Sequence, residues 1–190
     1  MGKIVVTEFV SLDGVMEDPG GAEGFEHGGW TFEFDRGEDG DAFKLDELRA
    51  SDAQLLGRVT YEGFAKAWPT MEGTGEFGEK MNGMPKFVVS RTLSSADWNN
   101  TTILKGDLVE EVGRLKEQFD GDILVAGSAQ LVQGLLEQDL VDELRLMVFP
   151  VVLGKGKRLF GPTSAKKRLR QVESRTVGGD GVEIAVYERA

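Results

Sequence analysis

"DILVAGSAQLVQGLL", residues 122–136, joins two patterns that belong to different elements. Ile123, Leu124 and Val125 form a short unbroken apolar run, as in a strand covered on both faces. From Ser128 the period changes, and Leu131, Leu135 and Leu136 fall in phase on one side of a helix. Only Ala126 and Gly127 lie between, so the strand turns directly into the helix. Units of this kind, repeated, build a largely parallel sheet.

The arrangement recurs upstream. "AQLLG" (53–57) predicts a buried strand, and "RVTYEGFAKAW" (58–68) a helix with Val59, Phe64 and Ala67 inward. "KIVVTEFV" (3–10), rich in β-branched residues, predicts the first strand, and "GDAFKLDELRAS" (40–51) a short helix. "KFVVS" (86–90) and "TTILKG" (101–106) predict two more strands. "DLVEEVGRLKEQF" (107–119) opens on a good N-cap, Asp107, and aligns Leu108, Val112, Leu115 and Phe119. "DELRLMVFPVVL" (142–153) predicts a long strand bent at Pro150, with Leu146, Val148 and Val151 offering an edge for a homodimer. "RLRQVESRTV" and "GVEIAVYER", joined by "GGD", predict a closing antiparallel hairpin. Two Gly-rich stretches, "SLDGVMEDPGGAEGFEHGGW" (11–30) and "TMEGTGEFGEKMNGMP" (70–85), predict loops. The expectation is one α/β domain over residues 1–190, mostly parallel with antiparallel C-terminal strands.

Composition removes several functions. With 33 acids against 22 bases the net charge is -11, so a basic nucleic-acid footprint is absent. There is no cysteine and a single histidine, His27, which excludes thiolate metal sites, multi-His metal sites and cysteine nucleophiles. No apolar run approaches the roughly 20 residues of a membrane helix. The N-terminus does not read as a signal peptide. A soluble, cytoplasmic protein without nucleic-acid or membrane partners is expected.

Three strand ends carry small or polar residues: Gly57-Arg58-Val59-Thr60, Ser90-Arg91-Thr92 and Gly127-Ser128-Ala129-Gln130. In open α/β sheets ligands gather at the carboxyl ends of strands, where helix N-termini present free N–H groups. Glycine permits close approach of a phosphate, and Arg58 and Arg91 supply charge-assisted contacts in an acidic protein. Each stretch alone equally describes an ordinary strand-to-helix turn. Together they favour a phosphate-bearing cofactor, and the two arginines suit NADP over NAD.

"SLDG", "LLGRVTYE", "KFVVSRT", "ILVAGSAQLVQGLLEQDLVDELRLMVFPVVLGKGKRLF" and the final hairpin, taken in order, resemble the dihydrofolate reductase superfamily. The similarity is greatest to the reductase domain of the bacterial riboflavin-biosynthesis deaminase-reductase. The resemblance implies the three-layer dihydrofolate-reductase-like fold with helices on both faces, and NADPH-dependent reduction of a small pterin, pyrimidine or related heterocycle. It implies that Gly57, Arg58 and Thr60 meet cofactor phosphates. Ser90 and Arg91 then lie near the adenosine ribose and its 2′-phosphate. Gly127, Ser128, Ala129 and Gln130 cradle the pyrophosphate, and the loop from Ser11 to Met16 covers the nicotinamide. Ala126 stands where dihydrofolate reductases usually show a second glycine.

For proton supply the candidates are Asp13 in "SLDG" and Asp41, which counting back from Gly57 places near the family's substrate-gripping carboxylate. Asp-Gly is also a turn pair, and Asp41 also suits a first helical turn. Trp30 is a candidate to stack on a flat heterocycle, or else a loop anchor. Lys155, Lys157 and Arg158 offer cations to a ribose phosphate, or else form a solvated turn. The alternative to catalysis is a nucleotide- or flavin-binding protein on the same fold.

Overall fold

The computed structural model describes all residues, 1–190. Eight strands form one sheet: β1 (Lys3–Ser11), β2 (Ser51–Gly57), β3 (Lys86–Val89), β4 (Thr101–Leu104), β5 (Asp122–Ala126), β6 (Glu143–Phe149), β7 (Leu169–Val177) and β8 (Val182–Arg189). Their spatial order is β4-β3-β2-β5-β1-β6-β8-β7. The first six run parallel; β8 is antiparallel to β6, and β7 is antiparallel to β8. The helices are α1 (Gly37–Ala50), α2 (Arg58–Ala67), α3 (Gly75–Gly83), α4 (Leu108–Gln118) and α5 (Ala129–Glu137).

Strand alternation divides the core by face. Ile4, Val6 and Val10 of β1 join Ile123, Val125, Val112, Leu115, Val132 and Leu135 beneath α4 and α5. Val5, Leu56 and Leu124 point the other way, onto Leu48, Tyr61 and Met81 of α1, α2 and α3. A third cluster, with Trp30, Phe149, Val182 and Ile184, fills the β6–β8 end.

Several expectations are corrected. β6 ends at Phe149, before Pro150, and lies between β1 and β8, so it offers no dimer edge. The free edges are β4 and β7, and eight of the nine β7 residues are exposed. The stretch read as a second Gly-rich loop contains α3. Its glycines cost helix propensity, but Phe77 and Met81 pack against the second cluster and hold it. Within α2, Val59 faces solvent and Tyr61 is buried, with Phe64, Ala65 and Trp68 beside it.

Lys86, the first residue of β3, is completely buried. Its ammonium donates to the carbonyls of Asn82, Met84 and Asn99 at 2.8–3.0 Å and lies 4.2 Å from the centre of the Trp98 ring. Burial lowers its pKa to about 8.

Candidate functional site

The first and third strand ends meet. Gly57 ends β2 and Gly127 follows β5, and the Gly57 N–H donates to Ser128 Oγ at 2.8 Å. Neither glycine tolerates a side chain. A Cβ on Gly57 would lie 2.9 Å from Ser128 Oγ. A Cβ on Gly127 would lie 2.8 Å from Thr60 Oγ1, and φ at Gly127 is +67°. Ser128 itself is left-handed, with φ 62°.

The hydroxyl of Ser128 therefore serves a neighbouring strand rather than its own helix. Ser128 occupies the N-cap of α5 and makes no capping bond there, and Gly57 at the N-cap of α2 has no side chain to make one. Two helix starts are thus tied side by side with their first-turn N–H groups uncapped. Free N–H groups and the positive end of the macrodipole make such a place suited to an anion.

Ser90 closes its own turn, accepting from Thr92 N and Leu93 N at 3.3 and 3.0 Å. Val89 pairs with Gly57 in register, so Arg58 and Arg91 leave adjacent strand ends. Arg91 is exposed and makes no ion pair, while Arg58 pairs with Glu62 at 2.9 Å across exposed surface. Exposed pairs of this kind are worth about 0–1 kcal/mol, so Arg58 is readily drawn to a stronger anion.

On the opposite face of β1, Thr7 donates to Glu47 Oε1 at 2.7 Å and accepts from Lys44 Nζ at 2.7 Å. Lys44 and Glu47 pair at 2.6 Å, largely out of water. Lys44 also lines a cavity of about 290 Å³ with Arg36, Asp41, Leu45 and Phe77. Asp41 is exposed at its rim, bound to Arg36 at 2.7 Å. Glu76 and Thr74 complete the lining, so the cavity combines two cations, two carboxylates, a hydroxyl and the apolar side chains of Leu45 and Phe77, a lining suited to a small polar ring.

Two candidate residues are held in contacts of their own. Asp13 is a clamp: Ser11 Oγ donates to it at 2.6 Å, and Leu153 N and Gly154 N at 3.1 and 2.8 Å. The Ser11 bond, helped by those backbone donors, lowers its pKa to about 2, so Asp13 holds no proton near neutrality. Trp30 is a loop anchor, 1% exposed, with Nε1 donating to Glu17 O and its ring edge-on to Phe149, so no ring face is left for a ligand. Lys155 and Arg158 are also occupied, by Glu26 and Asp13. His27 is exposed, beside Phe25.

The sequence places Glu8 mid-strand without fixing its face, and Glu47 was passed over. Glu8 and Glu47 are buried carboxylates, 6% and 3% exposed. Glu8 falls on the same strand face as Ile4, Val6 and Val10, and that mismatch was the available signal.

The sheet order and the paired bare helix starts define an α/β domain of the dihydrofolate-reductase-like class. Residues 2–182 match the RibD C-terminal domain, and the chain belongs to that family. It is 30% identical over 188 residues to the uncharacterized protein YyaP of Bacillus subtilis strain 168, covering 97% of this chain and 94% of that one. Among solved structures it resembles Acinetobacter baumannii RibD, with TM-score 0.69 and 17% identity, covering all of this chain and 58% of the longer RibD chain. It also resembles dihydrofolate reductase from Enterococcus faecalis, solved with NADP(H), with TM-score 0.63 and 14% identity over 99% of this chain and 96% of that one. No helix is long and apolar enough to cross a membrane.

Proposed function

We propose that the chain is an NADPH-dependent reductase of a small heterocycle. The observation that carries this reading is the bond from Gly57 N to Ser128 Oγ, which holds two uncapped helix starts together over glycines that admit no Cβ. These groups fit a dinucleotide pyrophosphate, with Thr60, Ala129 and Gln130 beside it. Ser90 and Arg91, on the neighbouring strand end, fit the adenosine ribose and its 2′-phosphate. The Enterococcus relative, bound to NADP(H), supports the same use of the fold.

The cofactor supplies the hydride, and the chain supplies binding and orientation. The cavity at α1 takes the substrate ring, with Lys44 and Arg36 favouring carbonyl or anionic groups and Asp41 accepting from ring N–H groups. The proton that completes the reduction comes from solvent or from an acid of the site other than Asp13.

Titration with NADPH tests the reading. At a hundredfold excess over the dissociation constant the cofactor stabilises the fold by about 2.7 kcal/mol, read as a rise in Tm. No shift with millimolar NADPH or NADH refutes it. Arg91→Ala is expected to weaken NADPH at least about tenfold and to leave NADH nearly unchanged, since hydrogen bonds to charged groups contribute about 1.5–3 kcal/mol. Equal losses refute the 2′-phosphate role.

The engagement of Asp13 by Ser11, Leu153 and Gly154, which occupies one candidate acid, favours one second reading: a nucleotide- or flavin-binding protein that performs no turnover. NADPH oxidation with dihydrofolate, a ribosylaminopyrimidinone or a quinone-like acceptor removes it.

A further inference from the structure

Glu8 differs from the other buried carboxylates. Asp18 accepts backbone N–H bonds from Ala22, Glu23 and Phe25, and Glu47 holds Thr7 and Lys44. Glu8 takes one bond only, from Gly127 N to Oε2 at 3.1 Å. Its Oε1 is buried without a partner. Strand alternation sends the side chain to the α5 face, where its register partner on β6 is Leu146.

The charges around it are few. Lys44 and Glu47 reach it from α1, across the strand, and oppose each other. Arg145 of β6 is committed to Glu143 and to Asp122 of β5. No acid lies in the first turn of α5, and the sequence puts no base there. Burial raises the Glu8 pKa well above the usual carboxylate range. The Gly127 bond and Lys44 lower it, and Glu47 raises it.

The partner of Glu8 belongs to the turn that presents the free N–H groups of α5. A phosphate held at that turn lies against Glu8, and two anions in a poorly solvated cleft repel strongly. A neutral Glu8 leaves the positive end of α5 available, and its Oε1–H becomes a donor where an ionised oxygen has no partner. We propose that Glu8 is a protonation gate on the phosphate cradle: the neutral acid admits the anionic cofactor, and the carboxylate excludes it. The proposal rests on the cofactor reading above and adds that binding draws a proton from solution whenever free Glu8 is ionised.

Calorimetric titration with NADPH from about pH 6 to about pH 9, in buffers of different ionisation enthalpy, tests it on wild type and Glu8→Gln. Wild-type affinity is expected to fall by up to about tenfold per pH unit above the Glu8 pKa, with net proton uptake on binding. Glu8→Gln is expected to show a flat ratio and no such uptake. Ionisation of the 2′-phosphate itself acts alike on both proteins and drops out of the comparison. Equal slopes and equal proton counts overturn the gate while leaving cofactor binding intact. No NADPH binding by either protein at any pH overturns both.

A ligand-free measurement reads the same group. A carboxyl with a raised folded-state pKa contributes stability that is complete below its unfolded value and is lost as pH rises through the folded one. The Tm advantage of Glu8→Gln over wild type is therefore expected to grow with pH, and a constant gap overturns the proposal. Glu8→Leu, which removes both oxygens, is expected to give the same flat binding profile. It carries the test where the glutamine variant does not fold.

Discussion

α4 and α5 begin at the same end of the same sheet and finish their first turns in opposite ways. Asp107 caps α4, accepting from Val109 N and Glu110 N. Ser128, in the equivalent place on α5, turns its hydroxyl to Gly57 of the next strand and leaves its own helix bare. Both residues are good N-caps by type. One is spent on local stability, and the other on joining two strand ends. The difference separates a helix start that is finished from one that is kept open for a ligand.

The comparison breaks first at Gly127. A branched side chain there meets Thr60 and a positive φ together, so Gly127→Val is expected to cost about 3 kcal/mol and abolish NADPH binding. Urea unfolding and cofactor titration check it. Ser128→Ala leaves the Gly57 N–H without an acceptor, at about 1–2 kcal/mol, and is expected to weaken NADPH as well. Asp107→Ala sharpens the contrast. It removes a cap at about 1 kcal/mol and is expected to leave the cofactor dissociation constant unchanged. If both variants affect NADPH alike, the open and finished starts are not functionally distinct.

The smallest effect concerns Asp13, whose clamp binds the loop after β1 to the chain beyond β6. Its pKa is lowered, so its stabilisation is present above the unfolded value near 3.9 and is lost as pH falls through about 2. Asp13→Asn is expected to lower Tm modestly at neutral pH, with the gap closing in strong acid.

Much of this was readable from residue order. The alternating strand and helix patterns, the Asp107 cap and the "GGD" hairpin appear in the structure in sequence order. The phase of α2 was misread because Tyr61 counts as half polar. In the fold its hydroxyl accepts from Trp98 N and the ring goes inward. α3 was hidden because propensity argues against "GEFGEKMNG", and only packing by Phe77 and Met81 overrides it. In the candidate site, the glycines and Ser128 were legible as a strand-end pattern. The bond from Ser128 to Gly57 was not, since it joins positions 71 residues apart. The anchoring contacts of Asp13 and Trp30 were not legible either, since they reach residues 140 and 13 positions away.

Lys86 carries a separate consequence. Its amine is enclosed by carbonyls from the end of α3 and from Asn99, under the Trp98 ring. An amine-reactive label meets it only when those segments part. Its pKa of about 8 belongs to the closed state, because burial is what lowers it, so after opening it reacts as an ordinary exposed lysine and the rate reports the opening. The time course of Lys86 modification is thus a built-in clock for local opening beside β3, and it runs without touching the cradle at the other end of the strands.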